Sequence, residues 1–180
     1  MKYNRQFHNR HSIRLKEFDY SQPGAYFFTA VTKERESLFG MISDGEMHLN
    51  KLGDIVQAAW MDLPNHYPYL ELGTFMIMPN HVYGIVVLTV GAGLGPAPTV
   101  EPTPTPFRYG LPEIIRAFKS FSARWVNEYL GATGHSLWQR NYYEHVIRDQ
   151  KEWERIHQYI ESNPLQWEQD RENSTYQKQS

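Results

Sequence analysis

Met76-Ile77-Met78-Pro79-Asn80-His81-Val82-Tyr83-Gly84-Ile85-Val86-Val87-Leu88 is an apolar run that breaks at Pro-Asn and resumes with a histidine. Pro and Asn both favour turns, so the stretch reads as strand, tight corner, strand. Successive side chains of the second strand alternate between faces. His81, Tyr83, Ile85 and Val87 share one side, and Val82, Gly84, Val86 and Leu88 share the other. A titratable imidazole therefore stands at a strand end beside a phenol, on an otherwise hydrophobic sheet.

Working outward, Gly24 to Thr32 is dense in aromatic and β-branched residues and predicts a first strand. Asn50 is placed to cap a helix from Lys51 to Trp60, with Leu52, Ile55, Val56 and Ala59 on one face. The hairpin strands run from Leu70 to Met78 and from His81 to Val90. Leu111 to Leu130 predicts a long amphipathic helix with Pro112 in its first turn, directing Ile114, Ile115, Phe118, Phe121, Trp125 and Tyr129 to the core. Tyr142 to Arg148 is a short strand, and Lys151 to Ser162 a helix stopped by Asn163-Pro164. Strands with helices packed on them make an α+β class. Between hairpin and long helix, Gly91 to Pro106 holds three of the 12 glycines and five of the 11 prolines. It buries too little to offset the cost of ordering and is expected to be an extended inserted loop, not a domain boundary.

With 180 residues, 41% of them hydrophobic, the chain suffices for one core and is expected to be a single domain. The absence of cysteine excludes disulfides and thiolate metal sites. The polar N-terminus and the short apolar runs predict no membrane span and a cytoplasmic location. A net charge of -2 hides an uneven layout. Lys2, Arg5, Arg10, Arg14 and Lys16 make a basic N-terminal arm (residues 1–20), while Glu168, Asp170 and Glu172 gather near the C-terminus.

In the last helix Trp153, Ile156 and Ile160 form the buried stripe, and Tyr159 and Asn163, four apart, share its margin. Taken alone, Tyr159 and Asn163 also fit a half-buried tyrosine and a helix-ending amide, and His81 and Tyr83 also fit core packing. Glu144 and His145, adjacent on a strand, point to opposite faces and receive no catalytic role.

The Met-Pro-Asn-His-Val-Tyr-Gly-Ile-Val stretch, Trp138-Gln-Arg-Asn-Tyr-Tyr-Glu-His-Val-Ile-Arg148 and Tyr159-Ile-Glu-Ser-Asn-Pro-Leu-Gln-Trp167 follow one another in order. With Ser12-Ile-Arg-Leu and Tyr20-Ser-Gln-Pro-Gly-Ala-Tyr they resemble the REP-associated tyrosine transposases, relatives of the single-tyrosine insertion-sequence transposases in the HUH nuclease superfamily. The resemblance implies a ferredoxin-like antiparallel sheet with a His-hydrophobic-His metal motif on a central strand and a nucleophilic tyrosine on a nearby helix. His81 falls on the first motif histidine, Tyr159 on the nucleophile and Asn163 on a third metal ligand. Tyr83 departs from the pattern, standing where the second histidine is expected.

The implied chemistry suits these residue types. A tyrosine oxygen can hold a phosphoryl group covalently, and a divalent cation can polarise that group. One imidazole with oxygen ligands suits Mg²⁺ or Mn²⁺, though a phenol with its ordinary pKa near ~10 is a weak ligand. Single-stranded or hairpin DNA is the implied partner, and pairing of two copies is left open. Arg14, Arg116, Lys119, Arg140 and Arg148 are candidate DNA contacts, and Tyr142 and Tyr143 candidate stacking partners for unpaired bases. Taken one at a time, these residues are better accounted for by surface charge and core packing. Three functions compete: a strand-transferring endonuclease, a binder of the same DNA that does not cut, and an unrelated RNA-binding module, whose usual Lys/Arg-Gly-aromatic motif is absent.

Overall fold

The computed structural model describes residues 18–89, 109–170 and 173. Most of the basic N-terminal arm, including Arg14, and the Gly91–Pro106 insertion lie outside the described residues. In chain order come β1 (Gly24–Val31), a 3₁₀ turn at Lys33–Arg35, and β2 (Gly40–Ser43) with β3 (Glu46–Leu49). Next are α1 (Lys51–Met61), α2 (Leu63–His66), β4 (Leu70–Met78) and β5 (His81–Leu88). Then α3 (Leu111–Tyr129), β6 (Tyr143–Ile147), α4 (Gln150–Ser162) and a second 3₁₀ turn at Asn163–Gln169 complete the described elements.

Four strands form one antiparallel sheet in the order β4-β5-β1-β6. Two β-α-β units, β1-α1-β4 and β5-α3-β6, thus interleave with β1 and β5 at the centre, the ferredoxin-like arrangement. β5 is apolar almost throughout because both its faces are covered. On one face Val82, Val86 and Leu88 join Tyr26 and Phe28 of β1 beneath Trp60 of α1 and Phe118 of α3. On the other, Tyr83 and Ile85 join Phe27 beneath Ile156 and Ile160 of α4. Three layers result, and α4 lies across the sheet from α1 and α3.

Gly84 makes the first of these layers fit. Phe28 and Phe75 flank it in register on the neighbouring strands, and a β-carbon at Gly84 would run into the Phe28 ring. Both rings close over the bare backbone, and Trp60 stacks on Phe75 at 4.4 Å.

Asn50 caps α1 as expected: its Oδ1 accepts from Leu52 and Gly53 N–H at 2.9 and 3.1 Å. The hairpin β2–β3 is an addition, closed at Asp44-Gly45 with φ of 54° and 77°. The expected stripe of α3 is corrected in its second half. Ser122 and Val126 are buried, Phe121 and Trp125 are half-buried, and Tyr129 is 56% exposed. A serine enters the core because its hydroxyl accepts from Trp138 Nε1–H at 2.9 Å and donates to the Phe118 carbonyl at 2.7 Å. Phe121 instead lies against His66 at 4.9 Å.

Candidate active site on the face covered by the last helix

The turn between β4 and β5 fixes His81. Asn80 Nδ2 donates to the Arg35 carbonyl at 3.1 Å, which orients the amide so that Oδ1 faces His81 Nδ1 at 2.8 Å. With Nδ1–H used there, the lone pair is on Nε2, a ring nitrogen that has no hydrogen-bond partner among the described residues and lies in a fully buried side chain. Nε2 is 3.8 Å from Asp170 Oδ2, too far for a hydrogen bond. Burial pulls the His81 pKa down to about 4, overriding the opposing pull of the Asp170 carboxylate and assisted by Arg35. The imidazole is neutral at pH 7.

Tyr83 follows on the same face, its ring 4.5 Å from that of His81. Its hydroxyl donates to Asp170 Oδ2 at 3.0 Å and accepts from the Tyr159 hydroxyl at 3.0 Å. Burial first, then Asp170 and Tyr159, push its pKa well above the usual phenol value, so it is held neutral. The oxygen considered as a ligand from sequence is engaged by these two neighbours.

Tyr159 and Asn163 reach the site through α4. Asp149 caps this helix by accepting from Glu152 N–H at 2.8 Å. Glu152 in turn accepts from Arg148 N–H at 2.9 Å and meets His145 Nε2 at 2.7 Å, fastening the helix to β6. At the opposite edge of the sheet, Thr74 Oγ1 contacts His157 Nδ1 at 2.5 Å. Between these ties Ile156 and Ile160 press onto the sheet. Tyr159 is left 43% exposed at the rim of a cleft of about 900 Å³, while Asn163, at the end of α4, is 3% exposed and its Oδ1 has no hydrogen-bond partner among the described residues.

His81 Nε2 and Asn163 Oδ1 are buried acceptors without a partner among the described residues, the Asp170 carboxylate stands 3.8 Å from the first and shares the cleft lining with Asn163, and these donor types suit a hard divalent cation. Among the described residues no cluster of three or more His, Cys, Asp or Glu side chains occurs.

The structure thus gathers His81, Tyr83, Tyr159 and Asn163 on one sheet face. The cationic candidates are dispersed. Arg116 is exposed on α3, across the sheet from α4. Lys119 is tied down: Nζ donates to the Gln139 and Arg140 carbonyls at 2.6 and 3.1 Å, lies 5.9 Å from the Tyr142 ring, and has its pKa lowered to about 8 by burial. Arg140 is exposed between Gln139 and Asn141, which line the cleft, and Arg148 is exposed at the start of α4. Tyr143, also exposed, lines the cleft against Phe27. Sequence reasoning missed Asp170, Asn80, Arg35 and Arg155; Asp170 and both arginines line the cleft. Asp170 showed only as one acid in an acidic tail, and Asn80 only as a turn residue.

Several known proteins resemble this chain. Residues 104–163 match the family model described as Transposase IS200 like. An uncharacterised protein of Haemophilus influenzae is 39% identical over 174 residues, covering 94% of this chain and 96% of the relative. A second H. influenzae protein, described as a putative REP-associated tyrosine transposase, is 26% identical over 147 residues, covering 82% and 73%. The solved structure of a REP-associated tyrosine transposase bound to a REP hairpin superposes with a TM-score of 0.58 at 19% identity, covering 86% of this chain and 74% of that one. Among the described residues no helix is long and apolar enough to cross a membrane.

Proposed function

We propose that the chain is an IS200-like tyrosine transposase, a reading supported by the family match over residues 104–163 and by the putative REP-associated tyrosine transposase relative, and that it cuts and rejoins single-stranded DNA at hairpin-forming repeats through Tyr159. The observation that carries this reading is the placement of the Tyr159 hydroxyl: reachable from the cleft, and held by Tyr83 beside His81, Asn163 and Asp170.

Tyr159 donates its proton into the Tyr83 oxygen, so the lone pairs of its own oxygen are left for the cleft. Attack on a scissile phosphorus forms the Tyr159 O–P bond to the 5′-phosphate as the P–O3′ bond breaks; the proton lost by the tyrosine is balanced by one gained at the 3′-oxygen, which leaves as a hydroxyl. The reverse attack by that 3′-hydroxyl restores the strand and returns the tyrosine. Tyr83, buried and neutral, keeps Tyr159 in place without adding negative charge near the phosphate. Arg35 and Arg155 border the cleft, where they can meet the DNA backbone, and Tyr143 offers a ring to an unpaired base. His81 and Asn163 would hold Mg²⁺ or Mn²⁺, which when bound neutralises charge on the nonbridging phosphate oxygens.

A second reading, a binder of the same DNA that does not cut, is favoured by one feature: Tyr83 where the motif has an imidazole. Incubating the purified full chain with end-labelled single-stranded repeat DNA and Mn²⁺, then denaturing, separates the two. A labelled band that co-migrates with protein supports transfer; retained binding without that band supports the binder.

A further inference from the structure

We propose that Asp170 is the anionic ligand of the divalent-cation site, taking with His81 and Asn163 the part that the missing second imidazole would have played. The inference deepens the metal dependence proposed above and rests on it.

Three observations converge on Asp170. First, with Nδ1–H given to Asn80, His81 Nε2 keeps its lone pair, and Asp170 Oδ2 stands 3.8 Å from it. Such a pair is too far apart for a hydrogen bond and within the span of two ligand bonds of about 2.1 Å each to a single ion. Second, Asn163 Oδ1 is a buried acceptor without a donor among the described residues, it shares the cleft lining with Asp170, and amide oxygens are ordinary ligands of hard cations. An unmet acceptor of this kind is costly unless something electropositive comes to it. Third, the carboxylate is built into place. The Asp170 N–H donates to the Trp167 carbonyl at 3.1 Å, its own carbonyl accepts from Asn173 N–H at 3.0 Å, and Asn173 Nδ2 returns to Trp167 at 2.9 Å. Tyr83 adds a hydrogen bond to Oδ2 from the sheet. Trp167 lies 6.0 Å from the His81 ring. Tyr83 therefore orients the carboxylate, as a residue behind a metal ligand does, and Asp170 supplies the charge.

Manganese alone is the probe. Isothermal titration of MnCl₂ into metal-free wild type, Asp170→Asn, Asp170→Glu and Tyr83→Phe is the direct test, with a thermal melt in EDTA confirming the fold of each. Asparagine retains the acceptor for Tyr83 but loses the charge, so affinity should fall by about tenfold or more. Glutamate should recover part of that loss, and Tyr83→Phe should weaken binding less than Asp170→Asn does. Unchanged affinity in Asp170→Asn, or a greater loss in Tyr83→Phe, overturns the assignment. Should Asp170→Asn not fold, wild-type crystals soaked in MnCl₂ decide. Anomalous manganese density bonded to Asp170 supports the proposal; no density there, or density bonded only to His81 and Asn163, overturns it. The adduct assay on the same wild-type sample keeps the two readings apart. Asp170-dependent Mn²⁺ binding without an adduct sinks the transferase and leaves this site standing; an adduct without such binding does the reverse.

Discussion

Acidification should destabilise the metal-free protein through His81 by an amount that can be worked out. The unfolded histidine titrates near ~6.5, whereas in the fold burial holds the pKa at about 4. Asp170 faces the ring and opposes this shift, Arg35 reinforces it, and Tyr83 stays neutral beside it. Between these two values the unfolded chain binds a proton that the folded chain refuses, so stability rises with pH across the window and is lost as pH falls. The full effect is about 3 kcal/mol below pH 4, and linkage puts about 2 kcal/mol of it at pH 5 relative to pH 7.5. Urea unfolding at both pH values in EDTA measures it. In His81→Asn the carboxamide can still donate to Asn80 but does not titrate. Wild type should therefore lose about 2 kcal/mol more than the variant over this interval, with the other titrating groups common to both. Parallel losses would refute the neutral imidazole. A smaller loss in wild type would show an imidazolium paired with Asp170, and the lone pair required of a ligand would be absent.

Ile160→Ala should cost about 2–4 kcal/mol and lower the melting temperature by roughly 5–15 °C, because a fully buried side chain joins α4 to the sheet; a shift under 2 °C in calorimetry would show that α4 is held from its ends. Lys119→Met should lower stability by about 1–3 kcal/mol in urea unfolding, since carbonyls of the 139–141 segment lose their donor. Weakened DNA binding with unchanged stability would make Lys119 a phosphate contact instead. Tyr83→His should tighten Mn²⁺ binding in calorimetry and raise adduct yield, because it places a second imidazole beside His81; unchanged affinity would show that position 83 does not reach the ion.

How much of this was legible in the sequence depends on how local each cause is. The β4–β5 corner and the split of His81 and Tyr83 from Val82 and Gly84 follow from turn chemistry and strand alternation, and the sheet keeps both. The Asn50 cap and the stop of α4 at Asn163-Pro164 are likewise short-range. The family resemblance placed Tyr159 and Asn163, and the fold brings them to the face of His81. Asp170 was beyond reach because its partner Tyr83 lies 87 positions earlier and nothing in an acidic tail announces a return to the sheet. Lys119 looked like a surface cation since helical periodicity says nothing about a later segment laying its carbonyls on the ammonium. Ser122 broke the apolar stripe of α3 for the same reason: its core partner, Trp138, comes from a loop.

The central claim is that Tyr159 takes up the DNA strand. After incubation of the full chain with single-stranded repeat DNA and Mn²⁺, nuclease trimming and proteolysis, mass spectrometry of the peptides locates the modification. A nucleotide mass on the peptide containing Tyr159, absent from a Tyr159→Phe protein that still folds and binds the DNA, is the predicted result. The phenylalanine fills the same space between Phe27 and Tyr83 and loses only the hydrogen bond to Tyr83. Modification of a different tyrosine, or an adduct that persists in Tyr159→Phe, would contradict it.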